Sequence, residues 1–270
     1  MTSSADSLHP LPWDSNFLGF GVARLAARAL PVAALAAHLA AARQAGLRLL
    51  YVVADPADTQ SNASAQAVGG WLADRKVTFG RLIGSPLAPR ALAHPVLGVT
   101  TFSPELEALA WQSGAYSRFR RDPQFAPGVF ERLYSHWLRA SLTGELARTV
   151  LACPGSDGTP TGLLTLQERG PQARIGLLAV RAGQRGRGQG GALVAAALRT
   201  ARAWGCERLS VVTQLDNQPA CRFYAHVGFA TEHQETCTTC GFEGGPTGTE
   251  ARARTFVRFV AAHVRPHSFQ

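Results

Sequence analysis

Apolar residues fall along this chain in two rhythms. At Leu47–Ala54 (LRLLYVVA) they run almost without interruption, as in a strand buried on both faces, and Asp55-Pro56 closes the run. From 31 to 44 alanine and leucine recur at helical spacing; Pro31 suits a first helical turn and Gly46 stops the helix. Residues 22–25 predict a short strand ahead of it. Asn62 is a candidate cap for a helix running to Ala73, and 76–82, apolar and β-branched, predicts another strand. Residues 1–95 therefore read as an α/β domain ending in a Pro- and Ala-rich connector, 85–95. Beyond it, Ser103 caps a helix that ends near Ser113-Gly114, and Pro127 precedes a second over 129–141. From Thr149 the pattern shifts to short strands at 149–153, 162–167 and 174–180, then a Gly-rich loop, a helix over 191–204, a strand at 208–214, a helix over 218–227 and a strand from Phe229. A meander feeding strand–helix–strand units implies a mixed, mostly antiparallel sheet flanked by helices, α/β (α+β) in class, over 96–240. Residues 241–270 form an extension.

Composition narrows the function classes. With 46% hydrophobic and 17% charged residues among 270, the chain can bury a full core, which excludes disorder and collagen-like repeats. Its longest apolar stretch, 30–46, is interrupted by Pro31, His38 and Arg43 and falls short of the ~20 apolar residues a membrane span needs. The five cysteines form an odd set, and the opening residues lack the basic and apolar regions of a secretory leader, so a reducing cytoplasm is the expected home. Of the 27 basic residues Lys76 is the only lysine, and the net charge is +9. That balance favours an anionic partner. No basic helix or aromatic-interleaved basic run is present, so a phosphorylated small molecule is expected rather than nucleic acid.

The chemistry concentrates in Gln184-Arg185-Gly186-Arg187-Gly188-Gln189-Gly190-Gly191, between a predicted strand and a predicted helix. Glycines let backbone approach phosphate without Cβ clashes, the helix start offers unpaired N–H groups, and Arg185 and Arg187 add charge-assisted bonds. The plainer alternative is a tight turn with solvated arginines. Gly186, Gly188 and Gly191 also satisfy G-x-G-x-x-G, but the next strand ends Val211-Val212-Thr213-Gln214 without the acidic residue that a dinucleotide fold places there. Downstream, Asn217 is an N-cap, Pro219 sits in the first turn and Gly228 is a stop. Asn217 and Tyr224, seven residues apart, return nearly to one helix face.

These residues, R-x-x-G-x-G at Arg185, Gly188 and Gly190, the strand 175–180 before them, and Asn217…Phe223-Tyr224…Gly228-Phe229, resemble the GCN5-related N-acetyltransferase (GNAT) family. The resemblance implies the GNAT fold and acetyl-CoA as acyl donor. It also implies that a bulged strand presents the main chain of Leu178, Ala179 and Val180 to the pantetheine arm and thioester carbonyl. Arg185, Gly186, Arg187, Gly188, Gln189 and Gly190 would hold the pyrophosphate, Asn217 would contact the cofactor arm, and Tyr224 would protonate the departing thiolate. A tyrosine, with an ordinary pKa near 10, holds the proton that such a thiolate needs.

A narrower likeness lies in the first half. Pro12-Trp13-Asp14-Ser15-Asn16-Phe17, Asp74-Arg75-Lys76-Val77-Thr78-Phe79, Tyr116-Ser117-Arg118-Phe119 and Phe130…Leu133-Tyr134…Trp137 resemble the bacterial dTDP-fucosamine acetyltransferases. This implies a truncated acetyltransferase-like first domain shaping the acceptor pocket. It also implies acetylation of the 4-amino group of a dTDP-4-amino-4,6-dideoxy sugar for surface polysaccharide, and a homodimer. Other amines, or non-catalytic acyl-CoA binding, are the rival readings. Two departures stand out: Arg174 and Ile175 occupy the strand start where relatives carry an acid, and Leu18 replaces an aromatic.

The remaining candidates divide between packing and chemistry. Trp13, Phe17 and Phe79 read as core residues. Arg118 with Phe119 either clamps a nucleotide phosphate or, through Arg118, makes a structural ion pair; Asp14 reads as a turn or cap residue. Cys237-x-x-Cys240, with His233 and His226 nearby, lacks finger-like partners, so buried thiols are expected and no metal. Cys221 shares the helix stripe of Asn217 and Tyr224 but has no His/Asp partner for acyl-cysteine chemistry. No general base is readable.

Overall fold

The computed structural model describes residues 8–84 and 94–241; most of the connector and all but the first residue of the C-terminal extension lie outside these. The chain enters through β1 (Leu8–Pro10), α1 (Pro12–Leu18) and β2 (Gly21–Ala26). It continues with α2 (Val32–Gln44), β3 (Leu47–Ala54), α3 (Thr59–Ala67) and β4 (Trp71–Leu82). A middle segment follows, with β5 (Leu97–Gly98), α4 (Pro104–Ser113), α5 (Arg118–Arg121) and α6 (Val129–Leu142). The last part holds β6 (Thr149–Pro154), β7 (Pro160–Arg169), β8 (Gln172–Val180), α7 (Gln189–Ala203), β9 (Arg208–Gln214), α8 (Gln218–His226) and β10 (Ala230–Gly241).

The strands form one sheet in the order β1-β2-β3-β10-β4-β9-β8-β7-β6-β5, antiparallel except at β2·β3 and β8·β9. Read outward from its centre the order repeats itself. β10-β3-β2-β1 on one side answers β4-β9-β8-β7 on the other, and each half is built from a strand–helix–strand–helix–strand run. Each run gives its last strand to the other half: β4 pairs with β9, and β10 pairs with β3. The 1–95 and 96–240 segments thus share a continuous sheet rather than two separate ones.

Alternation along the strands sorts the core onto two faces. Val77, Phe79, Leu164, Leu166, Ile175 and Val211 pack with α7 and α8, and Leu50, Val52 and Cys240 pack under α2 and α3. On the opposite face Val150, Ala152, Leu163, Leu177 and Ala179 pack under α4, α5 and α6, while Tyr51, Val53 and Cys237 adjoin the α1 region. Cys237 and Cys240 therefore lie on opposite faces and cannot share a metal ion.

One helix departs from the sequence expectation. Asp58, not Asn62, caps α3 by accepting from the Ser61 amide at 2.9 Å, while the Asn62 amide bonds the carbonyls of Asp55 and Asp58. Gly69, at φ +82°, ends the turn, so Trp71, Leu72 and Ala73 open β4 instead of extending a helix. The short α1 and α5 and the strands β1 and β5 carry too few residues for a periodic signal.

Because β10 fills the slot between β3 and β4, a chain ending at Phe229 keeps the eight helices of the described residues but leaves two central edges open. Size-exclusion chromatography is expected to show aggregate in place of a single compact species.

Candidate active site

β8 and β9 are paired only from Gln172↔Arg208 to Ile175↔Val211, after which they part. At the same level the β7·β8 register slips between Leu164↔Leu178 and Leu166↔Ile175, so β8 carries an extra residue at Gly176–Leu177. The Thr165 hydroxyl fills the gap, accepting from the Leu177 amide at 2.8 Å. This bulge lies just ahead of Leu178, Ala179 and Val180, whose side toward β9 is left without a strand partner. An extended chain can lie along such an open edge.

Beyond Val180 a short 3-10 turn, Ala182–Gln184, leads to the glycine loop. Gly186 and Gly188 adopt φ of +74° and +92°, with open space where a Cβ would stand at Gly186. Gly188 is the N-cap of α7 and carries no side chain to cap it, and the amides of Gln189, Gly190 and Gly191 have no acceptor among the described residues. Left-handed glycines, free helix-start amides and an open strand edge fit a donor whose diphosphate and amide-bearing arm must be gripped by backbone. Arg187 is exposed at the loop. Arg185 turns back, its Nε donating to the Val180 carbonyl at 3.1 Å, an oxygen that also accepts from Gln112 at 2.6 Å. The buried Gln189 side chain accepts from the Thr161 hydroxyl and secures the helix start to β7.

Gly190 ties this loop to α8. A Cβ there would lie 3.1 Å from two atoms of the Phe223 ring, so the absent side chain sets how closely the two helices approach. Phe223 is followed by Tyr224, buried between Phe79, Phe223 and Phe229 with ring centroids 5.3 to 5.7 Å away. Burial drives its hydroxyl pKa well above the ordinary tyrosine value. At the other end of α8, Asn217 accepts from the Ala220 amide at 3.3 Å and donates to Thr213 at 3.5 Å. Cys221 sits between them with its thiol on the Gln214 carbonyl, and burial raises its pKa, which disfavours a nucleophilic thiolate.

A second group of polar residues, gathered from three of the first-half motifs, stands beside this cleft. Arg118 of α5 lies 3.7 Å from the buried Asp74 of β4 and stacks on the Tyr51 ring at 4.6 Å; Asp14 of α1 faces the same guanidinium. Burial holds the Asp14 and Asp74 carboxyls above the usual aspartate range, against the pull of Arg118 and Lys76. Three atoms of this group, Asp74 Oδ1, Tyr51 Oη and Arg118 Nε, are buried without a hydrogen-bond partner. Asp74 is also within reach of Gln214, whose carbonyl accepts from the Asn217 amide, and Asp216 of the same turn pairs with Arg121 at 3.1 Å and with Arg75. The group therefore adjoins the start of α8. Of the two readings open for Arg118, the geometry supplies the ion pair. Phe119 is buried against Phe125 and Trp137, with the Arg118 guanidinium 4.5 Å from its ring centroid. Sequence reasoning placed Asp14 as a turn residue and left Asp74 and Tyr51 without a role; Asp74 and Asp14 stood in quoted motifs, but only the fold brings them together.

The sequence pattern of the Acetyltransferase (GNAT) family matches residues 105–229. The dTDP-fucosamine acetyltransferase of Escherichia coli O6:H1 is 30% identical over 232 residues, 84% of this chain and 94% of that protein. A GCN5-related N-acetyltransferase from Sphaerobacter thermophilus superposes with a TM-score of 0.50 at 19% identity, over 77% of this chain but 65% of its own. A conserved protein of unknown function from Staphylococcus epidermidis superposes with a TM-score of 0.62 at 9% identity, over 89% and 92% of the two chains. The last two likenesses are of fold.

Two outcomes follow from this geometry. Gly188→Val, forced into a left-handed conformation at the loop, is expected to weaken acetyl-CoA binding at least tenfold by calorimetry while the far-ultraviolet circular dichroism stays that of the parent. Arg118→Met removes one member of a buried pair and strands Asp74; urea denaturation is expected to show a loss of about 3–5 kcal/mol.

Proposed function

The chain belongs to the GNAT acetyltransferase family, and we propose that it acetylates the 4-amino group of a dTDP-linked 4-amino-4,6-dideoxy sugar, in the cytoplasm, for surface polysaccharide. The observation that carries this reading is that a buried polar group adjoins the start of α8, the helix that carries Tyr224. The glycine loop and Tyr224 come from the second half of the chain; Asp14, Asp74 and Arg118 come from the first-half motifs, and Tyr51 from β3. The name of the Escherichia coli relative supplies the acceptor class. A homodimer is part of the proposal on the same resemblance.

The family takes acetyl-CoA as donor, and when bound it supplies an activated thioester carbonyl. This chain's residues do the rest. Amides of Gln189, Gly190 and Gly191, with Arg187, hold the diphosphate at the positive end of α7. Main chain along Leu178, Ala179 and Val180 grips the arm and donates to the carbonyl oxygen as negative charge grows on it. The acceptor amine attacks as the neutral base, a form an amino sugar reaches more easily than lysine does; the N–C bond forms as the C–S bond breaks, and the proton lost from nitrogen passes to solvent, from which Tyr224 is reprotonated. Tyr224 holds a proton for the departing sulfur. Its raised pKa makes it a weak acid in the ground state, but a thiolate forming in the same dry pocket is a correspondingly stronger base, so burial acts on both partners in the same sense.

The test is CoA-thiol release with dTDP-4-amino-4,6-dideoxygalactose, its 4-epimer and a panel of simple amines. Turnover with one dTDP-sugar and inhibition by dTDP alone are expected; turnover of simple amines without dTDP inhibition would overturn the acceptor assignment. In the same assay Tyr224→Phe is expected to lower kcat by about 10²–10⁴-fold with acetyl-CoA affinity retained. The parent's kcat profile is expected to show no loss of the acid's proton near the ordinary tyrosine value of about 10.

A further inference from the structure

The first half of the sheet repeats the geometry of the second. β2 and β3 form its parallel pair, and the loop 27–31 leaves β2 for α2 as the glycine loop leaves β8 for α7. At the C-terminal ends of β2 and β3 there is a cavity of about 700 Å3, within the usual range for small-molecule sites, walled in part by His9, Arg24, Arg28, His233 and Glu235.

The acidic groups at this cavity are already engaged. Asp58 accepts from the amides of Ser61 at 2.9 Å and Ala29 at 2.7 Å, and Asp55 accepts from the Ala57 amide at 2.8 Å. Glu235 lies between Lys76 at 2.9 Å and Arg24 at 3.5 Å. Two cationic groups are not fully engaged: Arg28 is exposed with no ion pair or hydrogen bond among the described residues, and Arg24 Nε is buried without a partner. Beside Arg28, Ala29 holds φ at +46°, the one non-glycine residue with positive φ among the described residues. The bond from its amide to Asp58 keeps it there.

The cavity and the polar group around Arg118 lie on one face of the sheet, opposite the face on which Tyr224 packs against Phe79. On β10, Cys237 stands opposite Asp74 and Glu235 opposite Lys76, with His233 two residues further on at the cavity; four residues of strand cover about 13 Å. Lys76 is in turn opposite Gln214, three residues before Asn217. We infer that the cavity at the ends of β2 and β3 holds the nucleoside diphosphate of the acceptor, with Arg24 and Arg28 on its phosphates and the sugar extending over Lys76 and Gln214 to the gap where β8 and β9 part, on whose far side Tyr224 lies. The inference rests on the nucleotide-sugar reading above and adds where that nucleotide binds.

The test is calorimetric titration of the full chain with dTDP and with acetyl-CoA, together with KM for the dTDP-amino sugar. Arg28→Ala is expected to weaken dTDP at least tenfold and raise the sugar's KM by a similar factor, Arg28→Glu to do more, and Arg28→Lys to restore part. Acetyl-CoA affinity is expected to stay at the parent value in all three, with thermal denaturation confirming that they fold. If the parent binds dTDP and both Arg28→Ala and Arg28→Glu bind it equally well, the subsite is wrong and the acceptor reading stands. If the parent does not bind dTDP, both fall. Weakened acetyl-CoA with unchanged dTDP would assign the cavity to the donor and overturn the inference.

Discussion

The antiparallel pairing of β4 with β10 at the centre of the sheet is the constraint on which the site depends. Each strand ends one half of the chain and is hydrogen-bonded into the other, so neither half has a complete sheet alone. The exchange places Phe79 of the first half under Tyr224 of the second, and Lys76 opposite Gln214. Without it the glycine loop would still follow its strand, but the polar group around Arg118 would have no fixed relation to it.

Around that pair, features of opposite cost are combined. The cleft between β8 and β9 gives up strand hydrogen bonds, and the α7 start leaves amides without acceptors among the described residues, so it is a place of withheld bonding supported by a tightly packed floor of Phe79, Phe223 and Phe229. The group around Arg118 withholds something different: charge is buried in Asp74 and Arg118, with polar atoms left over. Both are arrangements that a partner molecule can complete, and Gly190 transmits the position of one helix to the next through contact alone.

What the sequence disclosed follows the range of the interactions involved. The strand 47–54, the helices α4, α6, α7 and α8 and the glycine loop were legible because each is encoded by consecutive residues: an unbroken apolar run, a helical repeat, an R-x-x-G-x-G spacing. The mixed, mostly antiparallel sheet was likewise readable from strand order. The α3 start was misplaced because Asp58 and Asn62 are both good caps by type, and the choice is made by the Ala29 amide, which also bonds Asp58 from another loop. The Asp14–Tyr51–Asp74–Arg118 group was illegible as a group, since its members come from α1, β3, β4 and α5 and meet only through β-sheet register. The exchange of last strands has no local signature at all.

The single lysine acquires a different meaning in an enzyme that handles an activated acetyl group. Lys76 is the one ε-amine in the chain, and it lies on β4 opposite Gln214, engaged with Glu235 at 2.9 Å. A surface otherwise studded with arginine presents guanidinium groups, which are poor acyl acceptors, so the protein offers its own donor little to modify by accident. The same scarcity makes amine-directed labelling, the chain's α-amine apart, a reporter of one position at the heart of the molecule.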